Sequence, residues 1–138
     1  MRKKTIQNIT LGISMLLFLI SLSQNIVKTA RGSEPSAILA LLLGWVCPLI
    51  WMANPILISS WISFKKQPKN AIIGSFLSSL ISLSFLGYKE IMINEAGHTD
   101  KIVSLLYGYW LWLFSSIVLF IGGLISFFVK ESNNDITT

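Results

Sequence analysis

Glu90, Glu95, His98 and Asp100 crowd into one short polar stretch, and their side chains are of the kinds that hold metal ions. Their spacing fits no helical His/carboxylate pattern, and Gly97 falls among them, so a flexible, solvated loop is the expectation. Asn54 offers different chemistry. It is the most polar side chain deep in an apolar run, and Pro55 follows it. A helix break at this point could present the amide and freed backbone carbonyls to an ion or small ligand. The plainer reading, an interhelical hydrogen bond beside a proline kink, is the expected one. Cys47 is the only cysteine, so the chain makes no internal disulfide and no Cys-based metal site. It reads as a small buried hydrophobe. No Gly-rich phosphate loop, nucleophile elbow or HExxH pattern occurs. No catalytic, cofactor-binding or metal-ligating residue is therefore expected, and the chain does not read as an enzyme.

The elements that would position these residues are apolar and long. Of 138 residues 53% are hydrophobic and only 12% charged, with mean hydropathy +0.68, too little charge to cover a soluble domain. The net charge of +5 does not point to nucleic acid, because the basic residues stand at the ends of apolar runs rather than in one patch. Four membrane spans are expected, at about 5–27, 37–64, 70–88 and 102–129, followed by a polar tail, 130–138. Within the first, Ile9–Leu22 has the length of a signal-peptide core and Ser21-Leu22-Ser23 resembles a cleavage site. The apolar run continues through Ile26 and Val27, which favours a retained helix.

The second span, Ala37–Phe64, carries Pro48 and Pro55 seven residues apart, on one side of a helix. Each proline lacks an N–H and crowds the carbonyl four residues back, at Gly44 and Trp51, so a kinked helix at the centre of the molecule is expected. The second and fourth spans, at 28 residues each, would run about 42 Å against a hydrocarbon core of about 30 Å, so they must tilt, kink or project. In the fourth span the aromatic cluster Tyr107, Tyr109, Trp110 and Trp112 suggests a first turn above the lipid, with Trp45 and Trp110 at matching depth. Ser104, Gly108, Ser115, Gly122 and Ser126 fall within roughly 40° of one another on that helix, a stripe along which a neighbour can pack. Gly74, Ser78 and Ser82 do the same for the third span.

Orientation follows from counting. With the N-terminus inside, the inner segments hold Arg2, Lys3, Lys4, Lys65, Lys66, Lys69 and Lys130, against Lys28, Arg31, Lys89 and Lys101 outside. That excess predicts both termini in the cytoplasm. None of the four spans contains Asp, Glu, Lys, Arg or His, which argues against proton relays, voltage sensors and charged-substrate sites. A small multidrug exporter lacks its carboxylate here, and a quinone-linked thiol oxidase lacks its cysteine pairs.

Gly44-Trp45, Trp51-Met52-Ala53-Asn54-Pro55-Ile56-Leu57 and Gly108-Tyr109-Trp110-Leu111-Trp112-Leu113 with Ser115 resemble an uncharacterised family of small four-span bacterial inner-membrane proteins. The Trp-x-Ala-Asn-Pro run is the most specific part of that likeness. The resemblance implies a bacterial inner membrane and a four-helix fold, and no reaction. The expectation is thus an all-α, antiparallel four-helix transmembrane bundle, one domain over residues 1–138, with a proline-kinked second helix. Its partners are the lipid bilayer and either another membrane protein or further copies of itself, with no nucleic acid and no cofactor. It would act by contact, as an accessory or immunity-type protein. The alternative is a homo-oligomeric channel or transporter using Asn54 and the serine-rich third span.

Overall fold

A computed structural model describes residues 3–44, 48–92 and 96–129. Trp45, Cys47, Glu95 and the tail 130–138 lie outside the described residues. The chain runs α1 (Lys3–Leu22), β1 (Val27–Thr29), α2 (Ala37–Leu43), α3 (Pro48–Trp51), α4 (Ala53–Ser63) and α5 (Pro68–Ser84). A 3-10 turn (Phe85–Gly87), β2 (Glu90–Met92), β3 (Thr99–Leu105) and α6 (Tyr107–Phe128) complete it. Most of the chain is helical, and three of its helical stretches, Lys3–Leu22, Pro68–Gly87 and Tyr107–Phe128, are long and apolar enough to cross a membrane.

The helices are polar inside and apolar outside. On α1 the buried residues are Gln7, Thr10, Ser14, Phe18 and Ser21, at intervals of three and four that mark a single face. The buried set of α5 is Ala71, Ser75, Ser78, Ser79 and Ser82. Large side chains point outward instead: Leu19 is 63% exposed and Ile62 74%. Water would penalise that arrangement. Lipid favours it, because small residues inside let backbones approach and large apolar ones outside meet acyl chains.

Close approach is concentrated on α6, which packs along both α1 and α5, while α4 packs on α5. An added Cβ on Gly122 would collide with Thr10 of α1, and one on Gly74 with Ser60 of α4. Phe18, Leu57, Phe64, Ala71 and Leu119, contributed by four helices, form the buried apolar centre. α5 and α6 therefore each have close helical neighbours on two sides. The second apolar segment, expected at the centre, lies to one side.

That segment is also not one kinked helix. It is divided into α2, α3 and α4, and its prolines begin helices rather than bend one. Pro48 is the first residue of α3 and Pro55 lies in the first turn of α4, where a missing N–H leaves no gap in the hydrogen-bond ladder. Met52, between α3 and α4, keeps right-handed helical angles and its carbonyl accepts from Ile56 N at 3.2 Å, so Leu49–Ser63 continues in one direction. Pro68 likewise starts α5, two residues ahead of the expected span.

The all-α expectation fails at the polar connections, which form an antiparallel sheet in the order β1-β3-β2. Val27 pairs with Leu105 and Lys28 with Ser104, then a bulge shifts Thr29 onto Ile102. Glu90 faces Lys101 and Met92 faces Thr99 in a hairpin with Gly97 at positive φ. The first span thus ends at Leu22 instead of Val27, whose side chain is completely buried in β1. The fourth begins at Tyr107 instead of Ile102. Residues 102–105 are apolar enough to be read as helix, but at a bundle end their backbone groups need partners, which β1 supplies. Ser104 is therefore an exposed strand residue and leaves the α6 stripe. Within the expected flexible loop, residues 90–92 and 99–101 are paired strands.

Candidate functional site

Under this sheet, where α1 ends and α6 begins, a cavity of about 480 Å³ opens between the sheet, α2, α3 and the bundle. Its floor is aromatic, with Phe18, Trp51, Tyr109 and Trp112, and Asn54 lies among them. Leu39 and Leu43 of α2 form one side, and Glu90 and Thr99 stand at the sheet end.

Trp51, Tyr109 and Trp112 each donate to an acceptor. Trp51 Nε1 donates to the Leu41 carbonyl at 2.8 Å. This bond ties α3 to α2, and the end of α2 is close enough that a Cβ on Gly44 would sit 3.0 Å from Trp51 Cδ1. Tyr109 Oη donates to the Ser82 carbonyl of α5 at 3.1 Å. Trp112 Nε1 donates to Asn54 Oδ1 at 2.8 Å. An indole N–H can only donate, so the Asn54 atom facing it must be the oxygen. The Asn54 amide nitrogen consequently points the other way. It donates to no described residue, yet the side chain is only 8% exposed. Every fully buried side-chain nitrogen or oxygen among the described residues has a partner, so this NH₂ group keeps some exposure, and Asn54 is one of the residues that line the cavity.

Below the cavity, other polar bonds lock the helices together. Ser14 Oγ donates to the Ser115 carbonyl at 2.7 Å and accepts from Trp61 Nε1 at 2.9 Å, joining α1 to α6 and to α4. Ser78 Oγ donates to the Ala53 carbonyl at 2.9 Å, and Ser79 Oγ to Ser116 Oγ at 3.1 Å. The Phe18 and Trp61 rings meet edge to face at 5.2 Å.

The residues singled out in the sequence thus separate into three places. Asn54 and Pro55 stand at the start of α4, with Asn54 at the cavity. Gly108, Ser115, Gly122 and Ser126 are buried on α6. A Cβ on Gly108 would fall 2.6 Å from the Asn25 carbonyl oxygen, which already accepts the Gly108 N–H at 3.0 Å. Ser126 turns back on its own helix, to the Gly123 carbonyl at 2.9 Å. The acidic residues of the hairpin go to the sheet. Glu90 accepts from Thr99 Oγ1 at 2.9 Å, and Asp100 accepts from the backbone N–H of Arg31 at 3.0 Å and of Lys101 at 2.8 Å. Burial works to raise the Asp100 pKa, but bonds from Thr29, Arg31 and Lys101 and the Arg31 charge outweigh it and leave the carboxyl below its ordinary range. Asp100 is a clasp between β3 and the turn after β1.

Tyr109 and Trp112 were expected as membrane-interface aromatics, Trp51 was singled out only for its carbonyl and in the motif, and none of the three was expected as a cavity wall. The signal available for them was that a buried indole or phenol needs an acceptor, and Asn54 is an uncharged amide deep in an apolar run. No family model, no curated protein and no solved structure matches this chain.

Proposed function

We propose that this is a multi-pass protein of a bacterial inner membrane that crosses the bilayer four times, keeps both termini in the cytoplasm and acts through protein contacts rather than catalysis. The observation that carries this reading is the use made of the interior polar groups. Ser14, Ser78, Ser79, Ser82, Ser115 and Ser116 are buried, and each has its hydroxyl committed to a carbonyl or to another hydroxyl. A path through one copy would need those groups turned toward water. Here Ser14, Ser78 and the Ser79–Ser116 pair link neighbouring helices, while Ser82 and Ser115 turn back on their own, and the chemistry of the molecule is spent on shape.

The fourth crossing is supported by where the broken segment starts and stops. Ala37 N donates to the Gln24 carbonyl at 2.8 Å, at the sheet end, while a Cβ on Gly123, near the last turns of α6, would lie 3.3 Å from Phe64. Residues 37–64 therefore run the length of the bundle in pieces. The lysines at 65, 66 and 69 gather at the end opposite the sheet, as the charge rule asks of a cytoplasmic side.

A homo-oligomeric channel lined by Asn54 and the third span is the second reading, and the free Asn54 NH₂ is what favours it. Proteoliposomes separate the two. The expected result is no potassium or small-solute flux with the wild-type protein. Flux that Asn54→Ala removes, with the fold retained, overturns the contact reading.

A further inference from the structure

We propose that the cavity under the sheet is a binding site for one acyl chain of a bilayer glycerolipid, whose ester carbonyl accepts a hydrogen bond from the Asn54 amide nitrogen. This deepens the reading of the chain as a bilayer-spanning protein and rests on it.

The ligand class follows from the lining. The walls are apolar and aromatic, and the polar group among them at depth is an uncharged donor on a side chain nine-tenths buried, without a partner among the described residues. An anion would find no cation beside Asn54, and a cation would meet an N–H. A neutral carbonyl on an apolar chain satisfies both the donor and the walls. Volume agrees: at about 30 Å³ per water-sized group, the cavity takes on the order of 15 methylene-sized units, one chain rather than two.

A lipid rather than a soluble molecule follows from the side wall. Leu39 and Leu43 line the cavity while remaining 51% and 53% exposed, so the site is continuous with the outer face of α2. In a bilayer that face meets acyl chains, and the second chain of the lipid can lie along it. Depth agrees too. Trp112 is five residues into α6, about 7–8 Å below its start at 1.5 Å per residue, close under the level where ester groups lie. At the sheet end Glu90 stands at the rim, which suits a head group carrying a cation, such as phosphatidylethanolamine.

The test is native mass spectrometry of the full chain in detergent, titrated with a single phosphatidylethanolamine species and, separately, with a short-tailed alkyl benzoquinone. Ala40→Phe fills the cavity from α2 without touching Asn54. Asn54→Leu keeps the volume and removes the donor, with loss of the Trp112 bond. Wild-type protein should bind one phosphatidylethanolamine saturably, and both variants should weaken it about tenfold or more while remaining folded. Ile121→Phe, on the exposed face of α6, should bind as wild type does. Equal adducts in all four proteins would mean surface lipid and overturn the site, as would absence of a saturable adduct or binding of the quinone alone. Should Asn54→Leu fail to fold, Ala40→Phe decides. A failure of the four-crossing topology is seen separately, in side-specific labelling, and does not register as loss of lipid.

Discussion

Asn54 divides its two ends between the bond from Trp112 and a donor with no partner among the described residues, and a single substitution can ask about each. Asn54→Ala removes the acceptor for Trp112 Nε1 as well as the free donor. Membrane hydrogen bonds measured by double-mutant cycles average about 0.6 kcal/mol, so the loss in a detergent melt should be about 1 kcal/mol or less. A larger loss would mean that the Asn54–Trp112 pair organises the α4–α6 contact. Gly122 is the opposite kind of residue, important for what it lacks. Gly122→Leu must push Thr10 and with it α1 away from α6, and overpacking typically costs about 1–3 kcal/mol. Val118→Leu, at a half-buried position of the same helix, should be milder. Equal melting of the two variants would refute the close α1–α6 approach.

Among elements, α2 depends most on a single bond. It is seven residues long, too short to persist alone, and Leu42 is 64% exposed. The Trp51 indole bond to Leu41 and the Ala37 bond to Gln24 fasten its two ends. Trp51→Phe should leave the α1, α5 and α6 amides protected in hydrogen exchange and speed exchange over 37–43. Unchanged α2 protection would show that lateral packing, not the indole bond, holds it. The sheet has its own clasp in Asp100. Because its folded pKa is depressed, the clasp is fully present above the ordinary carboxylate pKa and is lost as pH falls through the lower folded value. The amide chemical shifts of Arg31 and Lys101 should therefore hold steady from pH 7 to about pH 5 and move together below about pH 4. In Asp100→Asn that acid step should be missing.

For the whole molecule, the decisive matter is which groups end on which side. Single cysteines at Gln67 and at Ala96, in a Cys47→Ser background, should label from opposite faces of the membrane. Labelling of both from outside would defeat the four-crossing reading. The same comparison marks how far the sequence could be read. The four apolar runs, the turn at 65–69 and the interhelical role of Asn54 were legible, because apolarity, charge placement and a lone buried amide are properties of residues taken one at a time or in short windows. Three of the runs are helices long enough to cross; the other is broken.

The boundaries are where local reading failed. Ile102–Leu105 is as apolar as the helix that follows it, and nothing within that stretch says strand. Only the arrival of Val27–Thr29 alongside it, 73 residues away in the chain where Thr29 meets Ile102, gives its backbone groups partners and turns Ser104 out of the helix stripe. Pro48 and Pro55 read as kinks by the same limitation, since a proline in an apolar run either bends a helix or starts a new one. Sequence alone determined that this chain is apolar, lacks charge in its long runs and must pair its polar groups internally. The tertiary structure decided which carbonyl each serine and indole uses, and that after all those pairings the amide nitrogen of Asn54, a residue lining the cavity, has no partner among the described residues. That remainder depends on the relative placement of four helices and a sheet, and such placement is a property of pairs of distant elements rather than of any window of residues.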